Sequence, residues 1–184
     1  MAAPAPAPHA QAGPTKPGPV DHADVESWKA RFNEVLAKPD VITAPGPADA
    51  REWNAGFFGC CNPIDTCLIT WCLPCVTFGK THHRTRKHAG LEGYEAINTS
   101  CLLFTAAAFV GLHWIPASMQ RSDIRRKYHL QGNCLTDIAS ACCCALCDLV
   151  QQEKEAEFRE AELGKGAPVQ QQYGQHEGME YAKH

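Results

Sequence analysis

The chain has 184 residues with a formal net charge of −3, so nothing in its overall electrostatics recommends nucleic acid or an acidic membrane as a partner. Eleven of the residues are cysteines. The odd count, together with an Ala/Pro/Gly start from Met1 to Val20 that lacks the charged-then-apolar pattern of a secretory leader, predicts reduced thiols inside the cell instead of a disulfide framework.

In chain order, residues 1–52 read as a Pro/Ala-rich disordered tail interrupted by one short amphipathic helix over 24–38. In that helix Val25, Trp28, Phe32 and Val35/Leu36 recur at helical spacing and Pro39 ends the run. It is suited to dock on a partner or on the main domain. Residues 39–50 read as a linker, and a folded, cysteine-rich domain is expected over 53–163. Within it, the apolar stretch Thr99 to Ile115 is too short for a spanning helix, which needs about twenty residues, and is read as a core helix, with an interfacial or re-entrant segment as the alternative. Asp148 to Leu163 is rich in Glu, Lys, Ala and Gln, which predicts a largely exposed helix, and residues 164–184 read as a second disordered tail. The fold class expected is thus a small α-rich, cysteine-dense domain, stabilised by metal, with disordered tails.

The cysteines fall into two knots. Cys60, Cys61, Cys67, Cys72 and Cys75 form the first; Cys142, Cys143, Cys144 and Cys147 form the second, with Cys134 just ahead. Each knot holds a Cys-x-x-Cys pair, the spacing that lets two thiolates converge on one soft ion. A shift of 72 positions superimposes Asp65 on Asp137, Cys72 on Cys144 and Cys75 on Cys147, as if two similar knuckles faced each other. The expected metal ligands are therefore Cys67, Cys72, Cys75, Cys144 and Cys147, with Cys60, Cys61, Cys142, Cys143, His82 and His83 in reserve. Asp65 and Asp137 are expected to orient them or to cap their turns. Zinc or a similar thiophilic divalent ion suits such a donor set. Cys101, inside an apolar run, reads as packing.

Two basic clusters follow. Lys80, Arg84, Arg86 and Lys87 form one, and Arg121, Arg125, Arg126 and Lys127 the other. Both read as solvated surface, open to anionic lipid or to an acidic protein, although Arg121 and Arg125 share a helix face and are placed to pair with carboxylates elsewhere.

The chain resembles the placenta-specific gene eight family, whose plant members include cadmium resistance proteins and cell number regulators. The likeness rests on Trp53-Asn-Ala-Gly-Phe-Phe-Gly-Cys-Cys, Asp65-Thr-Cys67-Leu-Ile-Thr-Trp-Cys72-Leu-Pro-Cys75-Val-Thr-Phe-Gly79, Arg121-Ser-Asp-Ile-Arg125-Arg-Lys127-Tyr128, Gly132, Asp137, and Cys144-Ala-Leu-Cys147-Asp-Leu-Val-Gln151 followed by Glu153 and Glu155. One departure is Leu73, with a cysteine at 72, where plant members carry the cysteine beside the proline. The resemblance implies a non-enzymatic role in tolerance to cadmium and other divalent metals, or in growth control. The readings kept open are thiolate metal binding with protein interaction, a membrane-associated transport component, and a nuclear or cytosolic adaptor. Partners expected are a protein, a second copy of the chain or a membrane surface. A thiol–disulfide exchanger fits least, because the βαβ setting such enzymes use is missing from the sequence pattern.

Overall fold

The computed structural model describes residues 18–38, 46–47, 49–62 and 64–166. The readings made for 1–17, for most of the 39–50 linker and for 167–184 lie outside the described residues. Among the described residues seven α-helices follow one another: α1 (His22–Ala37), α2 (Ile64–Cys72), α3 (Pro74–Arg86), α4 (Thr99–Phe109), α5 (Trp114–Tyr128), α6 (Cys134–Cys143) and α7 (Ala145–Gly166), with a 3-10 turn at Gly59–Cys61. The one β-like contact among the described residues is a bridge between Arg51 and Leu130.

The internal echo is visible as architecture. In both halves a short helix with an aspartate in its first turn, Asp65 in α2 and Asp137 in α6, breaks at the Cys-x-x-Cys pair and resumes as a longer helix. In the first half Pro74 causes the break, since it has no N–H to donate and fits the first turn of a new helix. In the second the break falls at Cys144, whose φ of −149° and ψ of 85° leave the helical region. The two long helices, α3 and α7, then pack against each other.

The main core gathers Trp28, Phe78, Phe104, Ala117, Ala141 and Leu149 from six helices. Its aromatic centre is a stack in which Trp28 lies 5.7 Å from Phe78 and Phe78 lies 5.0 Å from Phe104, centroid to centroid. Helix α1 is therefore docked on the domain. The Trp28 indole donates to Ser100 Oγ at 3.1 Å, the Asp21 amide donates to Thr99 Oγ1 at 2.7 Å, and Lys87 holds both Asp21 and Asp24. Gly79 is required by this packing. A Cβ there would meet the side chain of Asn98, the N-cap of α4, at 2.7 Å.

Helix α7 corrects the expectation for 148–163. It is not a largely exposed helix: Asp148, Leu149, Val150, Gln151, Gln152, Glu153, Glu155, Ala156 and Arg159 are all buried, and Phe158 and Leu163 are among its exposed positions. The polar side chains can be buried because each is answered. Glu155 accepts the amides of Asn54 and Ala55 at 2.7 and 3.1 Å and the guanidinium of Arg159 at 2.8 Å. Glu153 accepts Thr81 Oγ1 at 2.8 Å and Arg84 at 3.0 Å, and Gln152 donates to Asp148 at 2.7 Å. Buried polar groups persist where their hydrogen bonds are made within the protein.

The stretch 99–115 divides between the two expectations. Cys101 and Phe104 face the core, whereas Leu102, Phe109, Val110 and Leu112 are exposed. Among the described residues no helix is long and apolar enough to cross a membrane.

Candidate functional site

All eleven cysteines are free thiols. The two knots do meet, but through a residue held in reserve: Cys60 Sγ lies 3.4 Å from Cys147 Sγ, a contact spanning 87 residues of chain. The 3-10 turn at Gly59–Cys61 turns Cys60 inward, where Val150 and Cys147 pack on it and Phe57 and Cys144 flank it. From Cys147 the contact passes to Cys144, at 2.6 Å between sulfurs, and the Cys147 amide donates to Cys144 Sγ at 3.3 Å. On the other side Cys61, beside Cys60, lies 3.9 Å from Cys67. Five thiols thus form one row, Cys67, Cys61, Cys60, Cys147 and Cys144.

Two thiols of the row, Cys147 and Cys61, resist ionisation. Burial pushes the Cys147 thiol well up, and its contacts with Cys144 and Cys60 push it further, because each neighbouring sulfur would oppose a second negative charge. Cys61 is raised too, chiefly by its contact with Cys67 and then by Cys60. A thiophilic cation supplies the missing counter-charge at such a row, since coordinating thiols are deprotonated.

The expected four-sulfur arrangement of Cys72, Cys75, Cys144 and Cys147 is not what the fold builds. Cys72 is exposed at the end of α2. Cys75, in the first turn of α3, neighbours Cys101 instead, whose thiol is pushed up to about 12 by burial and then by that contact. Cys142 and Cys143 are exposed on α6. Among the described residues no group of three or more Cys, His, Asp or Glu side chains surrounds a common point where an ion would be caged. The donor chemistry of the row fits a thiophilic ion, with Cys60, Cys144 and Cys147 as the sulfurs that would hold it, and the contacts run from one sulfur to the next instead of around a centre.

The imidazoles and carboxylates are used elsewhere. His82 is buried, its ring stacked 5.2 Å from Trp28, and its Nε2 has no hydrogen-bond partner among the described residues. Burial, and then the nearby charges of Arg31, Arg86, Lys87 and His83, lower its pKa to about 3. His83 is engaged through Nε2 with the Glu92 carbonyl at 2.9 Å. Asp65 is exposed on α2. Asp137 is buried against arginines: Arg125 reaches it at 3.0 Å and Arg121 at 3.5 Å.

The basic clusters need the same correction. Arg84, Arg121 and Arg125 are buried, not surface residues, whereas Arg86, Lys87, Arg126 and Lys127 are exposed and Lys80 is half-buried. Arg121 stacks 4.0 Å over Trp53 and donates to Asp148 at 2.9 Å and Gln151 at 2.7 Å. Burial raises the Asp148 carboxyl to about 7 against the pull of Arg121. Arg121, Arg125, Asp137 and Asp148 therefore form a structural clamp between α5, α6 and α7. Cys60 was the member of the row least visible in the sequence, since only the tertiary contact with Cys147 distinguishes it from Cys61.

Comparison with known proteins gives the fold its place. No solved structure matches the chain. Plant cadmium resistance protein 2 of Arabidopsis thaliana is 32% identical over 132 residues, covering 70% of this chain and 84% of its own. Cell number regulator 7 of Zea mays is 33% identical over 150 residues, covering 74% and 78%, and cell number regulator 9 is 32% identical over 125 residues, covering 67% of each. Residues 53–155, from the tryptophan under Arg121 to the glutamate that caps the Asn54 turn, match the PLAC8 family model, and the chain belongs to that family.

Proposed function

We propose that the chain serves tolerance to cadmium or related thiophilic divalent metals, as a non-enzymatic thiol protein that acts by metal binding and protein contact. The observation that carries this reading is the convergence of Cys60 on Cys147 and Cys144 across 87 residues of sequence. Soft sulfur donors favour zinc and, more strongly, cadmium over hard cations. The relatives named for cadmium resistance support the same chemistry. Because the metal ligand is the thiolate and not the thiol, binding releases protons and weakens in acid.

The test is titration of cadmium and of zinc into the reduced full-length chain, read by sulfur-to-metal charge-transfer absorbance and by proton release. Cys60→Ser is expected to weaken binding by roughly tenfold or more, a loss at least as large as that seen when groups merely supporting a metal ligand are removed. Cys72→Ser is expected to leave it unchanged. Equal losses in both variants, or none in Cys60→Ser, overturn the assignment.

A second reading is favoured by a specific surface. Ile64, Leu68 and Trp71 form an exposed stripe on α2, extended by Ile69, Leu73 and Phe58. Such a patch marks an interaction surface, and its Trp and aliphatic side chains suit the interfacial layer of a membrane. Flotation of the chain with neutral vesicles, lost in Trp71→Ser, supports it; flotation unchanged in that variant rules the stripe out.

A further inference from the structure

An apolar cleft of 360 Å³ opens between α1, α5 and α6, walled by Phe32, Val35, Trp114, Ile115, Met119 and Ile138. Its volume is within the range of small-molecule sites. Arg31, Glu34, Asp123 and Arg126 stand at its edge, and the same four residues wall an adjoining polar basin of 450 Å³, which Arg86 and Lys127 complete. The apolar trough and the charged basin are thus two ends of one depression.

The basin carries an excess of positive charge. Asp123 lies against Arg31, 2.7 Å from Arg86 and 3.6 Å from Arg126. Glu34 adds a distant contact to Arg126 at 3.8 Å. Lys127 is already engaged, by Glu160 at 2.5 Å and by the Thr85 carbonyl at 2.6 Å. Three guanidiniums facing two carboxylates leave one positive charge over. Arg31 bears most of that imbalance: it is 9% exposed and stacked 4.0 Å over Trp28, its Nη2 lies against Asp123, an acceptor shared with Arg86 and Arg126, and its Nη1 is buried with no hydrogen-bond partner among the described residues. Burial, followed by the charges of Arg86 and Arg126, lowers its pKa to about 9. A buried donor left unanswered is costly, and an acceptor that reaches Arg31 Nη1 from the cleft removes that cost.

We propose that this depression binds one single-chain amphiphile with an anionic head, its hydrocarbon tail lying along Phe32, Val35, Trp114, Ile115 and Met119 and its anionic head, a carboxylate or a phosphate, meeting Arg31 and Arg126. The single surplus charge matches a monoanion, and the trough is apolar where the tail lies. The tail alone does not specify the site, since a neutral chain leaves the surplus charge and Arg31 Nη1 uncompensated. The site is separate from the thiol row and stands or falls independently of metal binding.

The experiment is isothermal titration calorimetry of the full chain with dodecanoate below its micelle concentration, beside dodecanol, dodecyltrimethylammonium, dodecyl phosphate, acetate and inorganic phosphate. One dodecanoate is expected per chain, with binding weakened by salt and acetate too weak to register. Arg126→Gln is expected to weaken dodecanoate about tenfold, the equivalent of about 1.4 kcal/mol. Val35→Trp, which fills the trough from its rim, is expected to abolish it, and circular dichroism of both variants checks that they fold. Lys29→Gln, on the exposed side of α1, leaves it unchanged. A preference for dodecyl phosphate supports the anionic-head site and assigns it to phosphate-headed lipids; a preference for dodecanoate assigns it to free carboxylates. Equal binding of dodecanol and dodecanoate, binding insensitive to Val35→Trp, or no binding overturns the proposal.

Discussion

Helices α7 and α2 invert each other. Helix α7 carries Asp148, Gln151, Gln152, Glu153 and Glu155 and buries them, whereas α2 carries Ile64, Leu68, Ile69 and Trp71 and exposes them. By composition alone the first belongs outside and the second inside. The difference teaches that partners, not polarity, decide burial in this fold. Every carboxylate of α7 that goes inside meets an arginine, a hydroxyl or backbone amides, while the outer face of α2 meets no described side chain large enough to cover it. A chain this small spends its interior on a cross-linked polar framework and leaves apolar surface for something else to bind.

The sharpest way to break that comparison is to remove one member of the polar framework. Arg121→Met leaves Asp148 buried without its arginine, while Asp137 keeps Arg125, and a loss of about 3–5 kcal/mol in urea unfolding is expected. Restoring most of the loss with Asp148→Asn in the same chain would show that the cost lies in the unpaired carboxylate and not in the lost stacking on Trp53. A loss under 1 kcal/mol in the single variant would show that the clamp is ornamental.

An intermediate effect is expected from pH. His82 is neutral in the fold, with a pKa of about 3 set chiefly by burial, against 6.5 in the unfolded chain. The unfolded state therefore takes up the proton first as pH falls. The stabilisation is complete above 6.5 and is lost at about 1.4 kcal/mol per pH unit on acidification from 6.5 toward 3. Because Asp148 is shifted upward and pulls the opposite way over part of that range, the difference between wild type and His82→Phe is the quantity to measure. Unfolding midpoints of the two at pH 7 and pH 5 should converge by about 2 kcal/mol; parallel midpoints would show that the imidazole is not held neutral.

The smallest effect belongs to α2. Leu68→Ser and Trp71→Ser are expected to change stability by no more than about 0.5 kcal/mol, as for surface positions generally. A loss several times larger would mean that the stripe is packed in the isolated chain, and the contrast with α7 would collapse.

The helical class and the PLAC8 likeness were legible in the sequence, because helix periodicity and the spacing of Trp53, Cys67, Cys75, Arg121, Asp137 and Cys147 are local or ordered patterns. The break of each knot into two helices was not read from the sequence, although Pro74 carries a local signal for it in one half. The partnership of sulfurs was not legible. Spacing brings Cys144 to Cys147 within one turn, but the choice of Cys60 over Cys72 as their neighbour depends on how the 3-10 turn and α2 lie against α7, which no local pattern encodes. For Arg121 the helix face it shares with Arg125 announced pairing with carboxylates, but not which ones, since Asp137, Asp148 and Gln151 arrive from two other helices. What the sequence determined by itself is the helical class and the supply of thiols, because those depend on composition and on residues a few positions apart. Which thiols touch, which charges go inside and which apolar face stays out were decided only by tertiary packing, because burial free energy depends on neighbours that are remote in the chain.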